Sequence, residues 1–133
     1  MARLNRIFVA TEGRDAGKRY LITEMPASQG EWWALEAFFA MAAAGVEISD
    51  EVARTGLVGI VNLGFNALGK IPLEKAKPLI DKLMSCVAFL PDPNNNDVVR
   101  ALVESDCEEI MTRIQLKRMA LSIHTDFFTG GGR

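Results

Sequence analysis

The 133-residue sequence has few of the residues that usually mark a metal site or a disulfide framework. It contains one histidine, His124, and two cysteines, Cys86 and Cys107, which are too few and too far apart for either kind of site. Both cysteines lie among apolar neighbours, so we expect buried, reduced thiols. We therefore predict no metal and no cofactor.

The sequence also lacks an arrangement of residues typical of an active site. Cys107 and His124 fall on one predicted helix, four to five turns apart, so they cannot meet within one chain. A pairing of Cys86 with His124 stays open, but nothing else in the sequence supports it. Glu108 and Glu109 are adjacent on a helix and point in different directions, which suits capping and a salt bridge. We predict that the protein is not an enzyme.

Features of a nucleic-acid or membrane protein are missing as well. The net charge is −2, and Gly13–Arg19 is one residue short of a P-loop and carries Arg19 where a hydroxyl residue is needed. The longest apolar run, Trp32–Val46, is interrupted by Glu36 and is shorter than the ~20 residues of a membrane span. No signal peptide is visible at the N-terminus. We expect a cytoplasmic protein that contacts neither nucleic acid nor membrane.

The most informative segment that is present is a helix predicted over Ser28–Ala44. It is apolar around nearly its whole circumference, so it is either buried on all sides or covers something outside the chain. One face is predicted to build the core, with residues Ala34, Leu35, Phe38 and Met41. The other side flanks Glu36 and carries the large aromatic residues Trp32, Trp33 and Phe39. Either loops or a hairpin of the same chain cover these aromatic residues, or a partner does.

The whole chain is predicted to form one mainly helical α+β domain, over residues 1–133, with about four helices and one or two small β-hairpins. We expect flexible ends over about residues 1–5 and 127–133. The hairpins pair Arg6–Ala10 with Arg19–Thr23, and Cys86–Leu90 with Val98–Val103, although Arg100–Val103 could instead begin a helix. The predicted helices span Ser28–Ala44, Ser49–Leu68, Pro72–Ser85 and Ser105–His124, the last opened by a capping box of Ser105 and Glu108. The second is either broken near Gly56 or Gly64 or packed tightly against another helix, and Pro78 should kink or split the third.

The last predicted helix has two apolar stripes. One stripe contains Cys107, Ile110, Met111, Ile114 and Leu121, and the other contains Leu116, Met119 and Ile123. Two stripes on one helix suggest a second packing surface. We predict that partners bind through one set of residues on the first and last helices: Trp32, Trp33, Phe39, Leu116, Met119 and Ile123.

Three segments together resemble a known family. They are GKRYLITEMPASQGEWWALEAFFAM (residues 17–41), ALGKIP (67–72) and VAFLPDPNNNDVVRALVESDCEEIMTRIQLKRMAL (87–121). Their order and the chain length resemble the small tail assembly chaperones of long-tailed bacteriophages, of the Mu-like and lambda-like kinds. The resemblance covers roughly residues 14–128 and implies a non-enzymatic helper in the host cytoplasm. Such a helper binds the tape measure protein and helps to recruit tail tube subunits.

A second hypothesis explains the same extra apolar surfaces on the first and last predicted helices. The chain could be a structural virion component, such as a small head–tail connector or a tail-completion protein that forms a ring. Its apolar surface would then be buried between identical subunits of a homo-oligomer.

Overall fold

The computed structural model describes residues 3–45 and 70–124. In chain order these residues form β1 (Asn5–Val9), β2 (Arg19–Thr23), α1 (Ala27–Ala43), α2 (Leu73–Met84), β3 (Val87–Phe89), β4 (Arg100–Ala101) and α3 (Ile110–Ile123). They divide into two compact units. The sheet unit comprises residues 3–24 and 83–123, and the helical unit comprises residues 25–45, 70–82 and 124.

The four strands form one antiparallel sheet in the order β1-β2-β3-β4. Both predicted hairpins are present, and β2 joins them by pairing with β3, with Leu21 opposite Ala88. The α+β class is therefore confirmed, but the prediction of about four helices with one or two small β-hairpins is wrong. The described residues hold three helices and a single four-stranded sheet. The pairing of β2 with β3 joins segments that are far apart in sequence, so no local sequence pattern predicts it.

Helix α3 covers one face of the sheet and forms the core of the sheet unit. Tyr20 and Ile22 alternate with more exposed residues along β2, and both are fully buried. Helix α3 packs against β1 and β2. Its inward stripe follows the spacing of one helix face and contains Thr112, Leu116, Ala120 and Ile123. Burial raises the pKa of the Tyr20 hydroxyl, which donates a hydrogen bond to the Asp106 carbonyl.

The start of α3 is fixed by a carboxylate from the loop between β1 and β2. Asp15 is fully buried and accepts hydrogen bonds from the backbone N–H groups of Glu108, at 2.8 Å, and Glu109, at 2.9 Å. Lys18 completes the site with its ammonium group 3.1 Å from the same carboxylate. The last helix therefore begins at Ile110, not at Ser105 as predicted, because Asp15 binds the N–H groups that precede its first turn.

A second contact ties the same loop to the same helix end. Arg14 donates to the Glu109 carboxylate from both its backbone N–H, at 2.9 Å, and its guanidinium. Gly13 has a φ of +71°, and a Cβ there would lie 2.6 Å from the Glu109 carboxylate oxygen. The positive φ favours glycine at this position, and a larger residue would also have to displace the Glu109 side chain that binds Arg14.

The helical unit contains α1 and most of α2. Helix α1 begins at Ala27, one residue before the predicted start, with Pro26 at the N-cap. It ends as predicted before Gly45, which has a φ of +83° and donates its N–H to Ala42. Helix α2 continues through Pro78 without interruption. The Met25 N–H donates to Nε2 of His124 at 2.8 Å.

Two sequence predictions fall on residues that the structure does not describe. These are the helix over Ser49–Leu68 and the flexible tail over residues 127–133. Within the described ranges, no helix combines the length and the apolar character needed to cross a bilayer.

Asp15→Ala is expected to destabilise the protein by about 3 kcal/mol, since it leaves two part-buried N–H donors without their acceptor and removes the ion pair with Lys18. The measurement is urea unfolding at pH 7. Glu12→Gln is the matched control, because Glu12 is exposed in the same loop and makes no capping bond, and it should change stability by less than about 0.5 kcal/mol.

The same carboxylate predicts a pH dependence. Burial opposes ionisation of Asp15, but its hydrogen bonds to Glu108, Glu109 and Lys18 outweigh that effect and lower its pKa below the ordinary value of 3.8. Its stabilisation is therefore complete above pH 3.8 and is lost as the pH falls below it. The unfolding free energy of Asp15→Ala should fall less steeply with acid than that of the wild type. Equal slopes would contradict this assignment.

Candidate functional site

Four residues of α1 face the interior of the helical unit. These residues are Gly30, Trp33, Ala37 and Met41, which share one helix face. The Trp33 indole N–H donates to the Leu79 carbonyl of α2 at 2.9 Å. The inward stripe is rotated from the predicted core face, which shares only Met41 with it and leaves Leu35 exposed. In this rotation the buried Trp33 indole N–H has its acceptor.

Two large aromatic side chains of α1 are exposed. Trp32 has 63% and Phe39 has 61% of its surface accessible, whereas Trp33 has 4%. Trp32 and Phe39 are seven residues apart, which is two helical turns or about 10.5 Å along α1. The Phe39 ring also packs edge-on against Phe38, with ring centroids 5.8 Å apart. Both rings therefore offer apolar surface that a partner could bury.

Trp32 and Phe39 line two hollows of one groove between α1 and α2. The first hollow, of about 360 Å³, lies beside Trp32, and the second, of about 450 Å³, lies beside Phe39. Glu36 and Leu79 line both hollows, so the two hollows adjoin. We call this feature the α1–α2 groove; its lining residues are Ser28, Gln29, Trp32, Trp33, Glu36, Phe39, Ala40, Ala43, Ala44, Pro72, Lys75, Pro78, Leu79 and Lys82. An elongated apolar groove of this kind suits an amphipathic helix.

The two walls of the groove carry opposite charges. Glu36 is at the middle of the α1 wall, and Lys75 and Lys82 are on the α2 wall beside the second and first hollows. Among the described ion pairs, Lys77 and Asp81 of α2 pair with each other at 2.7 Å, but Glu36 and Lys75 are not in any. The apolar base of the groove is therefore bordered by one acidic and one basic wall.

The predicted partner-binding residues on α3 lie differently. Leu116 and Ile123 have 0% and 1% of their surface accessible and belong to the core of the sheet unit, while Met119 is half-buried. A fully buried side chain offers no surface to a partner in this conformation, and the same holds for Trp33. The exposed apolar side chains of α3 are Ile110, Met111 and Ile114 of the other stripe, whose remaining members, Cys107 and Leu121, are buried.

Sequence reasoning missed the α2 wall of the groove. Lys75, Pro78 and Leu79 were assigned no role in binding, although they face the aromatic residues of α1. The spacing of Ala76, Leu79 and Leu83, all buried, was the available signal, since it marks the inward face of α2. Which helix faces that stripe is a tertiary fact that spacing alone does not supply.

Comparison of the chain with protein-family models, curated proteins and solved structures finds no match. Function has to be inferred from the residues of this chain.

The two tryptophans should differ sharply in solvent access. In Trp33→Phe the remaining Trp32 is expected to emit at longer wavelength and to be quenched strongly by iodide. In Trp32→Phe the remaining Trp33 should emit at shorter wavelength and resist quenching, because it is buried against α2. Trp33→Phe should also cost about 1 kcal/mol of stability through loss of the bond to Leu79. Similar quenching in both variants would contradict the groove geometry.

Proposed function

We propose that this chain is a non-enzymatic tail assembly chaperone of a long-tailed bacteriophage that acts in the host cytoplasm. In this proposal the α1–α2 groove binds a helical segment of the tape measure protein, keeps that client from aggregating and helps to recruit tail tube subunits around it. The observation that carries the proposal is the pair of exposed aromatic residues, Trp32 and Phe39, two turns apart in one groove.

Burying these two side chains against a client would be favourable. More than half of each is open to water, and removal of that area is worth roughly 3 kcal/mol per side chain. Tryptophan is also among the residues that most often dominate binding energy at protein interfaces. The gain is available only when an apolar surface enters the groove.

The shape of the groove supports a helical client. Trp32 and Phe39 are in register with two turns of a helix that lies along α1, and Leu79 supplies an apolar base between them. A long, apolar, helical protein is the kind of client that the resemblance to tail assembly chaperones implies. Fold and resemblance thus support the same class of partner by independent arguments.

Replacing both exposed aromatic residues should abolish client binding. The experiment co-expresses the affinity-tagged chain with the tape measure protein encoded in the same phage genome and measures how much of that protein is recovered with it. Wild type should capture it, and Trp32→Ser combined with Phe39→Ser should lose at least about 90% of the capture, because each change removes an anchor of roughly 3 kcal/mol. Thermal unfolding checks that the double variant is folded.

Ile110→Ser is the matched control. Ile110 is 77% exposed on α3 in the sheet unit, so its replacement removes comparable apolar surface outside the groove. It should leave capture unchanged. Capture that survives the double variant would exclude the groove as the binding site, and failure of the wild type to capture the protein would overturn the proposed function.

One observation favours the second candidate, a structural virion component that forms a ring. In the β1–β2 hairpin, the Glu24 N–H donates to the Leu4 carbonyl and the Ala10 N–H donates to the Lys18 carbonyl. The backbone groups that bond to β2 therefore belong to even-numbered residues on the β1 side. The backbone groups of Asn5, Ile7 and Val9 therefore point away from β2. Because β1 and β4 are the two edges of the described sheet, edges of neighbouring copies could pair.

Mass spectrometry of purified phage particles separates the two candidates. A chaperone leaves the assembled tail, so this chain should be absent from particles or present far below the stoichiometry of tail proteins. Several copies per particle would overturn the chaperone proposal and favour the ring. Lysate from the same infection serves as the control, because it must contain the chain in either case.

A further inference from the structure

The two walls of the α1–α2 groove carry opposite charges, which would interact with charged residues of a bound helix. Glu36 is the only charged residue that lines the groove from α1, whereas Lys75 and Lys82 line it from α2. Glu36 and Lys75 border the same hollow, yet no described ion pair joins them. Both charges are thus available to a molecule that enters the hollow.

An amphipathic helix in this groove presents three surfaces. Its apolar stripe faces down, and residues at positions i and i+7 are about 10.5 Å apart, which matches the separation of Trp32 and Phe39 along α1. One flank lies against the α1 wall and meets Glu36. The other flank lies against the α2 wall and meets Lys75 and Lys82.

We propose that the groove selects a client helix with one basic and one acidic flank and fixes the direction in which that helix lies. This rests on the proposed function and adds to it the chemistry of the segment that is bound. The basic flank contacts Glu36, and the acidic flank contacts Lys75 and Lys82. Turning the helix end for end would exchange its flanks and bring like charges together, so only one direction is complementary.

The test uses two designed, fluorescein-labelled helical peptides with identical composition and identical apolar anchors at i and i+7. In the segregated peptide all lysines are on one flank and all glutamates on the other. In the mixed peptide each flank carries both. Exposed ion pairs are individually weak. Those made by Glu36 and Lys75 together should let wild type bind the segregated peptide about fivefold more tightly than the mixed one at low salt, and the difference should shrink at high salt.

Charge-reversal variants assign the effect to the walls. Glu36→Lys and Lys75→Glu should each weaken binding of the segregated peptide about threefold to fivefold and leave the mixed peptide unaffected. The double variant should recover most of the loss, because the peptide can then lie in the opposite direction. The direction is read from peptides that carry the fluorescein label at one end or at the other. The label that lies nearer to Trp32 in the complex is quenched more strongly. Lys77→Glu is the control, since Lys77 is exposed on α2 but does not line the groove.

The outcomes separate this proposal from the proposed function. Equal affinity for the two peptides, or binding of neither, would overturn the charge assignment, while capture of the tape measure protein through Trp32 and Phe39 would still stand. If sedimentation shows that the free chain is a dimer that the Trp32→Ser and Phe39→Ser changes dissociate, a second copy occupies the groove and the charge assignment is overturned.

Discussion

The candidate binding surface depends on the hydrogen bond from the Trp33 indole to the Leu79 carbonyl. A helix that is apolar around most of its circumference has no strong preference for which face turns inward, so its rotation must be set by something more directional than hydrophobicity. The buried Trp33 N–H needs an acceptor, and Leu79 supplies it at 2.9 Å. Successive side chains are about 100° apart on a helix, so turning Trp33 inward leaves Trp32 in solvent. The bond therefore favours the rotation in which Trp32 and Phe39 are exposed and line the groove.

In the sheet unit a buried acceptor also positions a helix, but here the acceptor is a charged carboxylate. Asp15 is buried, which disfavours its ionised form, yet backbone N–H groups at the start of α3 and the Lys18 ammonium lower its pKa. The isolated sequence around Ser105 and Glu108 has its own capping pattern, which would start the helix earlier. The carboxylate from the β1–β2 loop overrides that pattern because it offers buried, charge-assisted bonds to Glu108 and Glu109. A helix start was thus decided by a residue about ninety positions away.

What could be predicted from the sequence was local. Turn residues and β-favouring runs located both hairpins, and Gly45 marked the end of α1, because these signals act within a few residues. The joining of the hairpins into one sheet could not be predicted, since it depends on pairing of β2 with the distant β3. For the candidate site, the structure leaves the predicted partner-binding residues Trp32 and Phe39 exposed. It buries three others of the same set, Trp33, Leu116 and Ile123. The last helix has two apolar stripes, and the spacing of its residues does not say that the fold buries Leu116 and Ile123 and leaves Ile110 exposed.

A binding site built this way has a limited affinity, and the limit bears on the proposed role. Two aromatic anchors contribute roughly 6 kcal/mol together, the client's own anchors add a similar amount, and association costs at least about 4 kcal/mol. The balance corresponds to a dissociation constant near the micromolar range. A chaperone of tail assembly has to release its client as tube subunits replace it, so binding of this strength suits the task better than a permanent complex. Exposed ion pairs add little to affinity, so Glu36, Lys75 and Lys82 act mainly on which helix enters the groove and in which direction.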